Sequence, residues 1–92
     1  MKIPRIAVQS SQIAAIGYDN ASRQLDLEFK SHSKPKEGAP PKPNSVYRYQ
    51  NVPPELHQRL ISAESIGKFF GAEIKPFADR YPFKKLTEAE LN

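Results

Sequence analysis

Two stretches carry the side chains of most chemical use. Tyr47-Arg48-Tyr49 sets a guanidinium between two phenols, and the segment from Phe77 to Leu86 interleaves rings with cations: Phe77, Arg80, Tyr81, Phe83, Lys84 and Lys85. Rings that stack on bases, beside cations that meet phosphates, equip a surface for nucleic acid. Lys68 and Lys75 lie between the two stretches, so the candidate phosphate contacts are Arg48, Lys68, Lys75, Arg80, Lys84 and Lys85. Tyr47 and Tyr49 are the candidate stacking groups. A tail docked on its own sheet would show the same mixture, and the sequence leaves both readings open.

Little points to catalysis. Cysteine is absent, which removes thiolate chemistry, disulfides and cysteine-ligated metal. His32 falls in a proline-rich stretch and His57 in a helical one, where it is expected at the surface. Neither has an orienting partner or a ligand-spaced neighbour, and a nucleophile with its base needs a third group to hold them. No phosphate-cradling glycine loop and no paired-carboxylate spacing occurs. No catalytic residue, metal ligand or cofactor is assigned, and the chain reads as a non-enzyme.

Composition agrees with an anionic partner. Fourteen Lys and Arg against ten Asp and Glu give a formal net charge of +4 in 92 residues, which attracts polyanions. The same charge also suits plain solubility in a small domain. The first residues are basic, but Ser10, Ser11 and Gln12 interrupt the apolar ones, so a signal peptide is not expected. No run of eighteen apolar residues suggests a membrane span. The expected setting is cytoplasmic.

The elements that must position these residues follow from hydrophobic period. Residues 1–12 read as an extended arm. Ile13 to Tyr18 is β-capable with poor alternation, and Asp19-Asn20 supplies a turn. Leu25, Leu27 and Phe29 alternate with Gln24, Asp26 and Glu28, the period of a half-buried strand. A third strand over Ser45 to Gln50 puts Tyr47 and Tyr49 on one face, with Val46 and Arg48 on the other, wetter one. The tyrosines either pack under helices or form an outward platform for bases, and the strand preference of tyrosine favours packing.

Pro53-Pro54-Glu55 starts a helix, because proline is pre-shaped for the first turn and a carboxylate suits the positive end of the dipole. Leu56, Leu60 and Ile61 make its apolar side. Ser65 caps a second helix, whose Ile66, Phe69 and Phe70 read as core. Gly67 within that helix implies a close approach by another backbone. The predicted fold class is α+β: a three-stranded antiparallel β-meander packed on two short C-terminal helices, in one domain over residues 1–92 with its core at about 8–86.

Residues 31–44 break the pattern. Four prolines, a glycine and three lysines with no apolar period read as a flexible loop between the second and third strands. Lys34, Lys36 and Lys42, with Lys30 beside them, make a candidate basic arm, and the same lysines suit a solvated insertion with no target. Residues 87–92 are acidic and are expected to fray.

In this order the residues resemble the KTSC-domain proteins, small bacterial and phage domains named after a C-terminal extension of some lysyl-tRNA synthetases. The resemblance runs from Val8 to Leu86. It rests on Ser10-Ser11, Gly17-Tyr18-Asp19, Leu25-x-Leu27-x-Phe29, Tyr47-Arg48-Tyr49, Val52-Pro53, and Ala63-x-Ser65-x-Gly67-x-Phe69-Phe70 through Ile74. It implies nucleic-acid binding, to RNA or DNA, the leading suggestion for that family. The chain departs from the family pattern at residues 31–44, where relatives usually have a tight glycine turn.

Two function classes follow. One is an accessory module that binds nucleic acid with little sequence preference. The alternative is a protein-interaction module, of a phage or prophage kind, that docks on a partner through the aromatic tail or the proline-rich loop, where Pro40-x-x-Pro43 weakly suits polyproline recognition. Neither RNA nor DNA is preferred by the sequence, and open sheet edges leave the oligomeric state undecided.

Overall fold

The computed structural model describes residues 3–30 and 44–87. Strands β1 (Ile6–Ala7), β2 (Ile13–Asp19), β3 (Gln24–Phe29) and β4 (Ser45–Tyr49) follow one another as an antiparallel meander. Helices α1 (Pro54–Ile61) and α2 (Ile66–Glu73) and a 3-10 turn (Lys75–Phe77) then lead to β5 (Phe83–Lys85), which returns to pair with β4. Among the described residues the sheet therefore has five strands, not three. The two additions lie at its edges and are two and three residues long, too short to show any hydrophobic period. Residues 31–43, with His32, Lys34, Lys36, Lys42 and the Pro40-x-x-Pro43 pair, lie outside the described residues, as do residues 88–92.

The poor alternation of β2 has a physical cause. Ile13 opposes Phe29 and Ala15 opposes Glu28, so a bulge at this point absorbs one extra residue. Ile13 and Ile16, three apart, thereby reach the same face. The turn after β2 is held by the Asp19 carboxylate, which accepts from the Ser22 amide and hydroxyl. Those bonds lower its pKa, with the Ser22 hydroxyl the largest cause. Arg23 (φ 58°) closes that turn, and Asn51 (φ 61°) turns the chain out of β4 in the same left-handed conformation, which asparagine tolerates well.

Both helices begin as their residues imply. Pro53 and Pro54 open α1, and the Ser65 hydroxyl caps α2 by accepting from the Lys68 amide at 3.4 Å. Leu56, Leu60, Ile66, Phe70 and Ile74 pack on Ile13, Ile16, Leu25, Leu27 and Tyr49 of the sheet. Ile61 is exposed instead, because it sits about 100° round the helix from Leu60 and so beyond the buried stripe. Phe69 is half-buried beneath the Arg59 guanidinium, 5.4 Å from the ring centre. The closest group to a Cβ built at Gly67 is the Gln12 side chain at 3.1 Å, not a backbone. Nor is His57 a free surface residue. Its ring stacks on Tyr18 at 4.5 Å, and burial lowers its pKa.

The opposite face of the sheet is not wet. Ile3, Ala15, Val46 and Leu86 are buried but stand apart from the main cluster. The N-terminal segment crosses this face so closely that a Cβ at Gly17 would lie 2.5 Å from the Pro4 carbonyl oxygen. Arg5 reaches over to Glu28 at 3.0 Å. Arg48, expected on a wetter face, is one of the buried groups here. It is paired with the fully buried Asp26, donating from Nε to Oδ1 at 2.8 Å and from a terminal nitrogen to Oδ2 at 2.9 Å. The two residues are opposed in register across β3 and β4, so their alternation with apolar neighbours reflects a sealed ion pair and not a solvent face. Among the described residues, no helix is long and apolar enough to cross a membrane.

Candidate functional site

Directly opposed residues of an antiparallel pair share a face. Tyr47 opposes Lys85 and Tyr49 opposes Phe83, so these four lie on the helix side of the sheet. Arg48 opposes Lys84, which puts that lysine on the other side. The adjacent Lys84 and Lys85 thus serve different faces.

On the helix side the rings make one cluster. Phe29 meets Tyr47 and Phe70 edge-on at 5.6 and 5.3 Å, Tyr47 meets Phe83 at 5.9 Å, and Tyr49 meets Phe83 at 5.1 Å. Tyr49 is core, with 5% of its surface exposed, whereas Phe83 is 50% exposed and Tyr47 and Phe29 are half-buried. Burial pushes the Tyr49 phenol up to about 12, with Tyr47 a smaller contributor. It therefore stays neutral in ordinary buffers and places no anion here.

These rings and Lys75 line a depression of about 300 Å³. A neighbouring one of about 330 Å³ shares Phe29, Phe70 and Lys75 and adds Gln12, Lys30 and the α2 glycines Gly67 and Gly71. Through the shared residues the two form one groove between the sheet border and α2. Among the described residues, none of those lining it is acidic. Lys30, Lys75 and Lys85 are exposed at or beside it. An apolar, ring-lined groove with cations at its margins can accept a flat aromatic group attached to an anion.

The sequence candidates divide accordingly. Tyr47 and Lys75 line the groove, Lys85 stands beside it opposite Tyr47 in register, and Tyr49 supports it from beneath. Lys30, first grouped with the basic arm, lines it. Lys68 is exposed on the first turn of α2 and Arg80 in the turn before β5, and neither lines the groove. Arg48 and Lys84 belong to the other face. Sequence reasoning left out Phe29, and it named Phe83 within the aromatic–basic segment without assigning it as a stacking group. Phe83 had a signal, since Tyr81 and Phe83 alternate with Pro82 and Lys84, but only the pairing with β4 tells which side it takes. Among the described residues, no group of three His, Cys, Asp or Glu could hold a metal ion.

A family model described as KTSC domain matches residues 9–81. The chain belongs to the KTSC-domain family. The crystal structure of a KTSC domain protein from Yersinia pestis superposes with a TM-score of 0.72 at 32% identity, covering 92% of this chain and 99% of that one. In sequence, this KTSC chain is 38% identical over 77 residues to an uncharacterized protein of Stutzerimonas stutzeri, covering 84% of this chain and 92% of that protein. It is also 38% identical over 69 residues to a protein of Tsukamurella paurometabola, covering 75% of this chain and 85% of that protein. The matched KTSC region contains Phe29, Tyr47, Phe70 and Lys75 of the groove, whereas Phe83 and Lys85 lie just past it.

Proposed function

We propose that this KTSC domain is a small, non-catalytic module that binds nucleic acid with little sequence specificity. The observation that carries the reading is the groove itself: half-buried Tyr47 and Phe29 and exposed Phe83 beside Lys30, Lys75 and Lys85, with no acidic lining residue among those described. Leaving half of Phe83 in water forgoes part of the roughly 1.5–3 kcal/mol that burying such a ring provides. A ligand with a flat face recovers that term, and the lysines meet its phosphates. Arg48 has no place in this reading, because its guanidinium is engaged by Asp26 inside the fold.

Three lysines that neutralise about three phosphates give a log–log salt slope of about −2 on a single strand. Affinity should then fall about 15-fold between roughly 50 and 200 mM salt. Fluorescence anisotropy with labelled DNA and RNA oligomers across that range is the test. Micromolar binding in low salt with such a slope is expected. No binding to any oligomer at about 50 mM salt would refute the reading and leave a protein partner as the ligand of the groove.

A further inference from the structure

Resting on that reading, we infer that the groove takes unpaired nucleotides, and that this KTSC domain discriminates single strands from duplex. The sheet border is not a flat basic surface. It is a pair of shallow, adjoining depressions lined by rings of the sheet border on one side and by Gly67, Phe70 and Gly71 of α2 on the other. In a duplex the base faces are stacked on one another, and only phosphates and groove edges reach a protein. The rings of Phe29, Tyr47 and Phe83 would then contribute nothing to binding. A base that has left its stack presents the face these rings can take up.

The contacts within the cluster suit that use. Phe29 meets Tyr47 and Phe70 edge-on, and Tyr47 meets Phe83 edge-on, at interplanar angles of 61–77°; Tyr49 lies tilted at 31° against Phe83, which still leaves half of that ring exposed. On the opposite wall, a Cβ built at Gly71 meets nothing within 4 Å. A strand backbone can therefore approach α2 closely there, with Lys75, at the start of the 3-10 turn that follows α2, and Lys30 for its phosphates. Cations at the margin, and no lining acid among the described residues, favour a polyanion over an apolar peptide as the occupant.

One set of titrations separates this inference from the broader proposal. The probes are labelled oligo(dT) and oligo(dA) of about 12 nucleotides and the duplex they form, in about 50 mM salt. Single strands should bind about tenfold tighter than the duplex, the equivalent of one ordinary stacking contact. Phe83→Ala and Tyr47→Ala should bring single-strand affinity down to the duplex level and leave duplex affinity unchanged. Lys75→Ala should weaken both and reduce the salt slope by about one phosphate. Because half of Phe83 is buried against Tyr47 and Tyr49, its variant should melt a few degrees lower, and a wild-type far-ultraviolet circular dichroism spectrum at the titration temperature controls for misfolding. Duplex binding as tight as single-strand binding, with Phe83→Ala unchanged, would overturn the single-strand inference while nucleic-acid binding stood. Absence of binding to every probe would overturn both.

Discussion

Arg48→Ala should unfold a large part of this domain's stability and leave its ligand affinity untouched. The Asp26 carboxylate is fully buried, and both of its oxygens accept from the Arg48 guanidinium, at 2.8 and 2.9 Å. Deleting the guanidinium leaves a carboxylate sealed in the sheet without its counter-charge, which costs about 3–5 kcal/mol. A chain of this size has a total stability of about 5–14 kcal/mol, so the loss is a substantial share of it. Urea unfolding followed by far-ultraviolet circular dichroism measures it directly. With a slope of about 1–1.5 kcal/mol per molar, the midpoint should fall by about 2–5 M. The double variant Asp26→Leu/Arg48→Met should recover most of that loss, because an apolar pair of similar volume avoids desolvating two charges. A cost below about 1 kcal/mol for Arg48→Ala is the value of an exposed pair. That result, joined to weaker nucleic-acid binding by the folded variant, would put Arg48 on the surface and refute the reasoning.

Other expectations follow from the same structure. Gly71→Ala should stabilise α2 by about 1 kcal/mol from helix propensity, since its Cβ enters open space; in the same protein it should weaken single-strand binding, and a gain in both would argue against ligand approach at that wall. Gly17→Ala should destabilise by about 1–3 kcal/mol in denaturant melts, because its Cβ collides with the Pro4 carbonyl, a backbone atom that cannot swing aside. Burial lowers the folded-state pKa of His57 below its ordinary value of 6.5, so the unfolded chain binds more protons there. Its contribution is therefore complete above pH 6.5 and declines as pH falls from there through the folded-state value; His57→Phe should flatten that limb of a stability–pH curve. In a spectrophotometric titration, Tyr49 should ionise only near pH 12, and Tyr49→Phe should remove that late step.

Much of this fold was legible in the residues. Leu25, Leu27 and Phe29 alternate because β3 carries its apolar residues on the helix side, and Pro53-Pro54 and Ser65 open helices for local reasons that no tertiary contact has to supply. Tyr47-Arg48-Tyr49 correctly marked a strand that divides rings from a cation. The parts that were not legible depend on pairing. The short edge strands β1 and β5 take their extended shape from the strands they join, and so leave no period of their own. Asp26 and Arg48 look like a solvent face because each is charged; together, opposed in register and covered by the N-terminal segment, they neutralise one another. The bulge in β2 conceals which residues of Ile13 to Ile16 share a face. At the groove, Tyr47 and Lys85 are far apart in the chain and meet only through the β4–β5 register. The KTSC resemblance supplied the order of motifs, but not the depression that Phe29, Phe83 and Lys75 shape.

An amide chemical-shift titration of the isotope-labelled KTSC domain with a short unpaired oligonucleotide is the most direct check on where binding occurs. Shifts should concentrate at Lys30, Tyr47, Gly67, Gly71, Lys75 and Phe83 to Lys85, around the groove between α2 and the β4–β5 border. Shifts confined to Arg5, Gly17, Asp26 and their neighbours on the other face, with the groove amides unmoved, would contradict it.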